Sequence, residues 1–132
     1  MPSIFTRIVK GEIPCYKVAE TDDCLAFLDI NPLAKGHTLV IPKKEVDYLF
    51  DLDDELYIKL LVFSKKVASA IKKTIPCERI GVAVIGLEVP HAHIHLCPIN
   101  TINDLSFSNP RVKLTKEEFQ AVADAIKAQV EA

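Results

Sequence analysis

Between residues 53 and 73, apolar residues recur every three or four positions, a spacing typical of one long amphipathic helix. An aspartate near position 53 can cap its first turn, and Pro76 prevents the helix from continuing. Three further apolar residues, Leu61, Val62 and Ala68, widen the apolar stripe. Packing in the core is the first explanation for this width, and a partner helix is the second. The stripe itself comprises Leu56, Leu60, Phe63, Val67 and Ile71.

Two shorter helices are predicted near the ends of the chain. Ser3 can cap a helix over residues 4–10, and Gly11 is well placed to end it. Thr115 and Glu118 form a capping box at the start of the other helix. The apolar face of that second helix comprises Phe119, Val122, Ala123, Ile126 and Val130.

The remaining apolar segments predict strands. Pro14 favours an extended segment, and residues 24–30, 37–41, 79–85 and 91–99 are short and rich in apolar residues. Because strands occur in adjacent pairs, with helices between and after them, the chain is predicted to form a single α+β domain over residues 1–132. We expect an antiparallel sheet of about five strands, a long central helix and a C-terminal helix.

Composition narrows the class of protein. The 132 residues are 49% hydrophobic and 26% charged, which is typical of a soluble globular domain. The net charge is -2 and no basic segment is visible, so we expect no binding to nucleic acid. Without a recognisable signal peptide or a long apolar run, we expect a cytoplasmic protein that does not bind membranes. The four cysteines include no Cys-x-x-Cys pair, which favours reduced thiols over a structural zinc site.

Three of the four histidines alternate with apolar residues in the segment His91-Ala92-His93-Ile94-His95. In a strand, residues two apart share a face, so the three imidazoles would stand roughly 7 Å apart, with the apolar residues on the buried side. Crowded imidazoles repel one another once protonated, and a purely structural role therefore does not explain the pattern.

Two kinds of chemistry fit these histidines. A His-x-His pair, with His37 or His91 as a third ligand, would suit zinc. Alternatively, a neutral imidazole, whose unperturbed pKa is about 6.5, can attack phosphorus near neutral pH while its neighbours stabilise the phosphoryl oxygens. The spacing alone does not decide between them.

The motif His91-x-His93-x-His95 resembles the signature of the histidine triad superfamily, whose members hydrolyse or transfer nucleotides. Ile4-Phe5 with residues 11–14, and the blocks 24–30 and 37–43, are similar in order and spacing to the Hint branch of that superfamily. The resemblance implies a HIT-like fold, a homodimer, a purine nucleotide substrate with an AMP-like product, and a mechanism that requires no metal cofactor.

The resemblance also implies roles for individual residues. His93 would attack the α-phosphorus and carry the nucleotidyl group. His91 and His95 would contact the phosphate and leaving group or orient His93, and His37 would assist from a neighbouring strand. Asp29 would bind the ribose hydroxyls, although in isolation it is typical of a turn. The apolar nucleoside pocket would comprise Ile4, Phe5, Phe27, Ile30 and Leu39.

The segment before the triad departs from the family pattern. Many members carry Gly-Gln-Ser or Gly-Gln-Thr there, whereas this chain has Gly86-Leu87-Glu88-Val89-Pro90. Glu88 therefore stands where a small hydroxyl often lies. It could donate a proton to a leaving amine, recognise a positively charged leaving group, or simply be solvated.

We therefore expect a hydrolase or transferase that cleaves a substituted α-phosphate, of the nucleoside 5'-phosphoramidate type, through a covalent nucleotidyl-His93. A dinucleoside polyphosphate hydrolase of the same superfamily is one alternative. A nucleotide-binding sensor or scaffold with vestigial activity, and a zinc-binding histidine cluster, are the alternatives from other classes.

Overall fold

A computed structural model describes residues 2–131, which form one five-stranded antiparallel sheet with the strand order β1-β2-β3-β5-β4. The strands are β1 (Lys17–Glu20), β2 (Cys24–Leu28), β3 (Thr38–Pro42), β4 (Arg79–Ala83) and β5 (Ile94–Ile99). The helices over these residues are α1 (Ile4–Val9), α2 (Asp54–Thr74) and α3 (Lys116–Glu131), with 3-10 turns at Leu49–Asp51 and Ile102–Leu105. The predicted α+β class, five-stranded sheet, long helix and C-terminal helix are confirmed.

Helices α2 and α3 cover one face of the sheet. Alternate residues of the central strands point towards them, and Ala26, Val40 and Ile94 belong to one buried cluster with the apolar stripes of both helices. The predicted caps are present: the Asp53 carboxylate accepts from Leu56 N–H at 2.8 Å, and Glu118 accepts from Thr115 N–H at 2.9 Å. Residues Leu61 and Val62 are 40% and 63% exposed, so core packing was the wrong explanation for their part of the wide stripe.

The opposite face of the sheet carries the side chains of the candidate site. It holds a smaller apolar cluster of Phe5, Leu25, Phe27, Leu39 and Ile41. Helix α1 contributes Phe5; the helix is capped by the Ser3 side chain and followed by Gly11 at φ +79°. That positive φ favours glycine and ends the helix where the sequence predicts.

Several strand boundaries differ from the prediction. The predicted strand over residues 91–99 begins only at Ile94, because Ala92 N–H donates to Val46 O at 2.7 Å outside the sheet ladder. The strand predicted from residue 24 ends at Leu28, since the Asp29 carboxylate accepts from Asn31 N–H and starts a turn. The strand predicted over 79–85 ends at Ala83. His91 and His93 therefore precede β5, and the prediction that all three imidazoles lie on one strand was wrong.

None of the helices over residues 2–131 combines the length and the apolar character that crossing a membrane requires. The cytoplasmic location stays a prediction.

Candidate functional site

The ring of His93 is oriented by a backbone carbonyl. Its Nδ1 lies 2.7 Å from the carbonyl oxygen of His91. A carbonyl only accepts hydrogen bonds, so Nδ1 carries the proton of the neutral ring and Nε2 keeps its lone pair. Phe5 packs edge-on against the same ring, with centroids 5.1 Å apart. The backbone thus selects the tautomer that leaves Nε2 of His93 free to act as a nucleophile.

His37 and His95 form a hydrogen-bonded pair with defined proton positions. Leu33 N–H donates to His37 Nδ1 at 3.0 Å, so the proton of His37 is on Nε2, which lies 3.0 Å from His95 Nδ1. Since His95 Nδ1 accepts this bond, the proton of His95 is on its other nitrogen, Nε2. The rings of His95 and His93 are adjacent, with centroids 5.1 Å apart. One ring therefore offers a lone pair and its neighbour offers an N–H.

Burial keeps the His37–His95 pair neutral. Desolvation lowers the pKa of each ring to about 4, and the positive charge of Arg111 acts in the same direction on both pKa values. For His95, the neighbouring His37 and His93 also lower the pKa, while the Asp29 carboxylate raises it. At neutral pH the pair is therefore uncharged, which fixes the direction of its hydrogen bonds.

His91 is enclosed and has both ring nitrogens engaged. Its Nε2–H donates to Pro42 O at 2.8 Å, and its Nδ1 accepts from the Ser3 hydroxyl at 2.8 Å. Burial lowers its pKa, which keeps the ring neutral in this arrangement. No ring nitrogen of His91 is left to contact a phosphate. Of the two roles that the resemblance implies, phosphate contact and orientation of His93, only orientation fits this arrangement.

Glu45 binds the start of α1 to this arrangement. Its Oε1 accepts from Ser3 N–H and from the Thr6 hydroxyl, each at 2.6 Å, and these bonds lower its pKa to about 2. Ser3 is thereby held between Glu45 and His91. Sequence reasoning identified Ser3 only as a helix cap and missed Glu45, since nothing in the local pattern links residues 3, 45 and 91.

The apolar side chains predicted for nucleoside binding fall into two groups. In the sheet register Phe27 pairs with Leu39, and Leu39 pairs with His95, so the three form a row across β2, β3 and β5. Phe5 joins this row, with its ring centroid 5.6 Å from that of Phe27. In contrast, Ile4 is 48% exposed and Ile30 is 74% exposed, which places both outside the buried cluster.

Asp29 lies beside the histidine pair. Its Oδ2 is 3.7 Å from His37 Nε2, and its Oδ1 accepts from Asn31 N–H at 2.8 Å. Burial raises the pKa of the Asp29 carboxyl, while the Asn31 bond and electrostatic interactions with His95, Arg111 and His93 lower it. The structure therefore brings Asp29 together with His37 and His95, and its contact with a ribose stays a prediction.

Residues 10–102 match the protein-family model described as the HIT domain. This chain belongs to the HIT family. It is 38% identical to an adenosine 5'-monophosphoramidase of Schizosaccharomyces pombe, an alignment that covers 98% of this chain and 99% of that protein. It is 32% identical to an adenylylsulfatase of Arabidopsis thaliana, over 91% of this chain and 66% of that protein. The crystal structure of a Hit-like protein from Bartonella henselae superposes with a TM-score of 0.83 at 33% identity, covering 96% and 95% of the two chains.

The resemblance of this HIT protein to the histidine triad superfamily is confirmed, and so is its HIT-like fold. Glu88, by contrast, makes no hydrogen bond or ion pair with the histidines among residues 2–131. It is exposed in the connection between β4 and β5, just after Gly86, whose φ is +74°. Its role stays a prediction.

One group of side chains in this HIT protein contains atoms that could ligate a metal ion. Asp29, His37 and His95 offer ligand atoms that lie within 4.8 Å of one another. A cation on Nε2 of neutral His37 would require the proton on Nδ1, where it would face the donating N–H of Leu33. His91, the other suggested ligand, has both nitrogens in hydrogen bonds. The hydrogen bonds therefore fit a neutral pair whose outer N–H is on His95 better than they fit a zinc site.

Besides Glu45, sequence reasoning missed Phe107 and Arg111. The Phe107 ring lies edge-on to His95, with centroids 4.7 Å apart, and the guanidinium carbon of Arg111 lies 5.6 Å from the Phe107 centroid. Both are in a polar segment without recognisable motif, so only the fold shows that they reach the histidines.

Proposed function

We propose that this HIT protein is a nucleotide hydrolase or transferase that cleaves a substituted α-phosphate of the nucleoside 5'-phosphoramidate type, with His93 as nucleophile. The observation that carries the proposal is the hydrogen bond from His93 Nδ1–H to the carbonyl of His91. In the neutral tautomer it leaves the lone pair on Nε2, and the ring of His95 is adjacent, with its centroid 5.1 Å from that of His93. The identity of 38% to an adenosine 5'-monophosphoramidase supports the substrate class.

In the first step, the lone pair on Nε2 of His93 forms a bond to the α-phosphorus, and the bond from phosphorus to the leaving nitrogen breaks. The leaving nitrogen takes up a proton and departs as an amine. As positive charge develops on the His93 ring, its Nδ1–H bond to the His91 carbonyl becomes stronger. The N–H of His95 donates to a phosphoryl oxygen and stabilises the charge there.

In the second step, water attacks phosphorus and the bond to His93 breaks, which releases a nucleoside monophosphate and one proton. If another nucleophile replaces water, the same intermediate gives a transfer reaction. Glu88, in an exposed connection, is our candidate for supplying the proton to the leaving amine.

The nucleoside is proposed to bind along the row of apolar residues that ends at His95. Phe5, Phe27 and Leu39 would pack against a purine, with Ile4 and Ile30 at the rim of the pocket. The Oδ2 atom of Asp29 would accept hydrogen bonds from the ribose hydroxyls. We propose that no metal cofactor is required, because the N–H of His95 stabilises the phosphoryl charge.

We further propose that the protein is a homodimer. Strand β4 is an edge strand, and its Val82 is 61% exposed. Helix α2 also exposes Ile58, Leu61 and Val62. A second copy that covered these apolar side chains would explain the wide stripe on α2. Light scattering on the purified protein tests this assignment directly: a monomer at micromolar concentration would contradict it.

The experiment that tests the reaction is acid or denaturant quenching during turnover of an adenosine 5'-phosphoramidate, followed by mass spectrometry. We expect a mass increase of one nucleoside monophosphate on His93, absent from His93→Ala. Turnover by the His93→Ala variant at the wild-type rate would contradict the assignment. Tight AMP binding without turnover of any substrate would instead indicate a sensor.

A second substrate class has specific support. The identity of 32% to an adenylylsulfatase makes adenosine 5'-phosphosulfate a candidate, since its leaving group is also attached to the α-phosphorus. Comparing kcat/KM for this compound, a phosphoramidate, and a dinucleoside polyphosphate separates the three possibilities.

A further inference from the structure

The segment between the 3-10 turn at residues 102–105 and α3 returns to the candidate site. We call residues 106–112 the arm; it lies outside residues 10–102, which match the family model. Val112 N–H donates to Pro32 O at 2.9 Å, and Arg111 Nη1 donates to Asn31 O at 2.9 Å. These two bonds attach the arm to the turn that follows Asp29.

The arm places an aromatic ring on the histidine pair. Phe107 lies edge-on to His95 at a centroid distance of 4.7 Å, and to His37 at 6.4 Å. Both imidazoles are almost completely buried. Phe107 therefore supplies part of the apolar surface that keeps water away from the bond between His37 Nε2 and His95 Nδ1.

Arg111 holds Phe107 in this position. Its Nη2 donates to the carbonyl of Phe107 at 3.2 Å, while its Nη1 donates to Asn31 O. The guanidinium also lies over the Phe107 ring, with a carbon-to-centroid distance of 5.6 Å. A planar guanidinium can make both carbonyl bonds and the ring contact together, whereas an ammonium group cannot do so with the same geometry.

We propose that Phe107 is a positioning residue of the catalytic site, which excludes water from the His37–His95 pair, and that Arg111 positions Phe107. The inference rests on the proposed role of that pair, in which the N–H of His95 donates a hydrogen bond to a phosphoryl oxygen. It adds a segment outside the matched family region to the machinery of the site.

A protonated pair would lose its hydrogen-bond direction. An added proton must go to His37 Nδ1, against the N–H of Leu33, or to His95 Nδ1, against the N–H of His37. The charged or titratable groups that face the pair are Asp29 after β2, His93 before β5 and Arg111 on the arm. Of these, only Asp29 favours protonation. Exclusion of water is the largest factor that opposes it.

The direct test is a pH titration of the histidine ring ¹⁵N resonances, which needs no substrate. In Phe107→Ala we expect the midpoints of His37 and His95 to rise from about 4 towards the unperturbed value of about 6.5. Phe107→Leu keeps an apolar cover and should shift the midpoints less. Phe50→Ala, at an exposed phenylalanine, is the matched control and should leave both midpoints unchanged.

The variant Arg111→Lys separates the effect of the positive charge of residue 111 from its effect on the position of Phe107. The lysine keeps the positive charge but cannot hold Phe107 through both carbonyls, so we expect the midpoints to rise in this variant as well. Wild-type midpoints in Arg111→Lys would overturn the role of Arg111. Wild-type midpoints in Phe107→Ala would overturn the proposal. If Phe107→Ala does not fold, the other two variants decide. The proposal is overturned if Phe107→Leu and Arg111→Lys both titrate with the midpoints of the wild type.

Activity provides the second readout. The ratio of kcat in Phe107→Ala to kcat in the wild type should fall about tenfold between pH 7.5 and pH 5.5, because at pH 5.5 a ring with a pKa of about 6.5 is mostly protonated. A ratio that does not depend on pH would contradict the inference. If the wild type turns over no phosphoramidate, the proposed function fails. The ¹⁵N titration still decides whether Phe107 excludes water from the His37–His95 pair.

Discussion

Nδ1 of His93 lies 2.7 Å from the carbonyl oxygen of His91, so the main chain, and not another side chain, selects the tautomer of the central histidine. The group that orients the His93 ring is therefore only two residues away in the sequence. It also makes the position of the His91 backbone important to His93, and that backbone is held by the bonds of the His91 ring to Ser3 and Pro42.

Replacing His93 by alanine should abolish the reaction while leaving the fold intact. We expect kcat/KM for an adenosine 5'-phosphoramidate to fall by about a thousandfold or more, because the covalent intermediate cannot form. Steady-state kinetics and circular dichroism check the two halves of the prediction. His93→Gln is a useful companion variant, since it retains a polar side chain but cannot form the intermediate either.

Ser3→Ala should lower kcat more than it changes KM. The substitution removes the donor to His91 Nδ1 and the cap of α1, so the His91 backbone is held less firmly. The cap alone contributes about 1 kcal/mol to stability. Ser3→Thr keeps the hydroxyl and should restore most of the activity.

The matched control for Ser3→Ala is Asp53→Ala. It removes the cap of α2, a bond of 2.8 Å to Leu56 N–H that is not part of the histidine network. We expect a similar loss in the free energy of unfolding, measured by urea denaturation, but wild-type kcat. An equal drop of kcat in both variants would show that Ser3 acts only through stability.

Features of this site that depend on neighbouring residues could be predicted from the sequence, whereas contacts between distant residues could not. Alternating apolar residues correctly predicted that Ile94 faces the helices and that β5 carries His95 on the opposite face. The start of β5 was predicted three residues too early, because the bond from Ala92 to Val46 cannot be derived from the residues near the triad.

Two networks of the site were invisible in the sequence for the same reason. Ser3 contacts Glu45 across 42 positions and His91 across 88. Arg111 contacts Asn31 across 80 positions. Each of these residues is ordinary in its local context, and local patterns report helix caps and strand faces but not which loops meet in the fold.

Asp29→Asn tests the proposed ribose contact. An amide is a weaker partner for hydroxyl donors than a carboxylate, so we expect KM to rise by about tenfold, which corresponds to about 1.4 kcal/mol, with a smaller effect on kcat. In the wild type, the KM of a 2'-deoxy substrate should be higher by a similar factor. In Asp29→Asn, removing the 2'-hydroxyl from the substrate should change KM little. If the two losses are fully additive, Asp29 does not bind this hydroxyl.

The matched control for this substitution is Asp23→Asn. Asp23 forms an ion pair with Lys59 on the surface, at 3.2 Å, and the change removes the same charge from the protein. KM and kcat should remain at the wild-type values.

The free energy of unfolding should fall as the pH is lowered from about 6.5 to about 4. The pKa of His37 and of His95 is about 4 in the folded protein, whereas in the unfolded chain each is near 6.5. Between these values the unfolded state binds more protons than the folded state, so stability is full above pH 6.5 and is lost on acidification. Glu45, with a pKa of about 2, contributes in the same direction but at lower pH, below about 4.5.

Urea denaturation at half-unit steps from pH 7.5 to pH 4.5 measures this slope. In His37→Gln one ring of the His37–His95 pair is absent, so the dependence of unfolding free energy on pH should be shallower by up to one proton. The same slope in the variant and the wild type would mean that His37 takes up its proton equally in the folded and unfolded states. That result would contradict our conclusion that burial keeps the His37–His95 pair neutral in the folded protein.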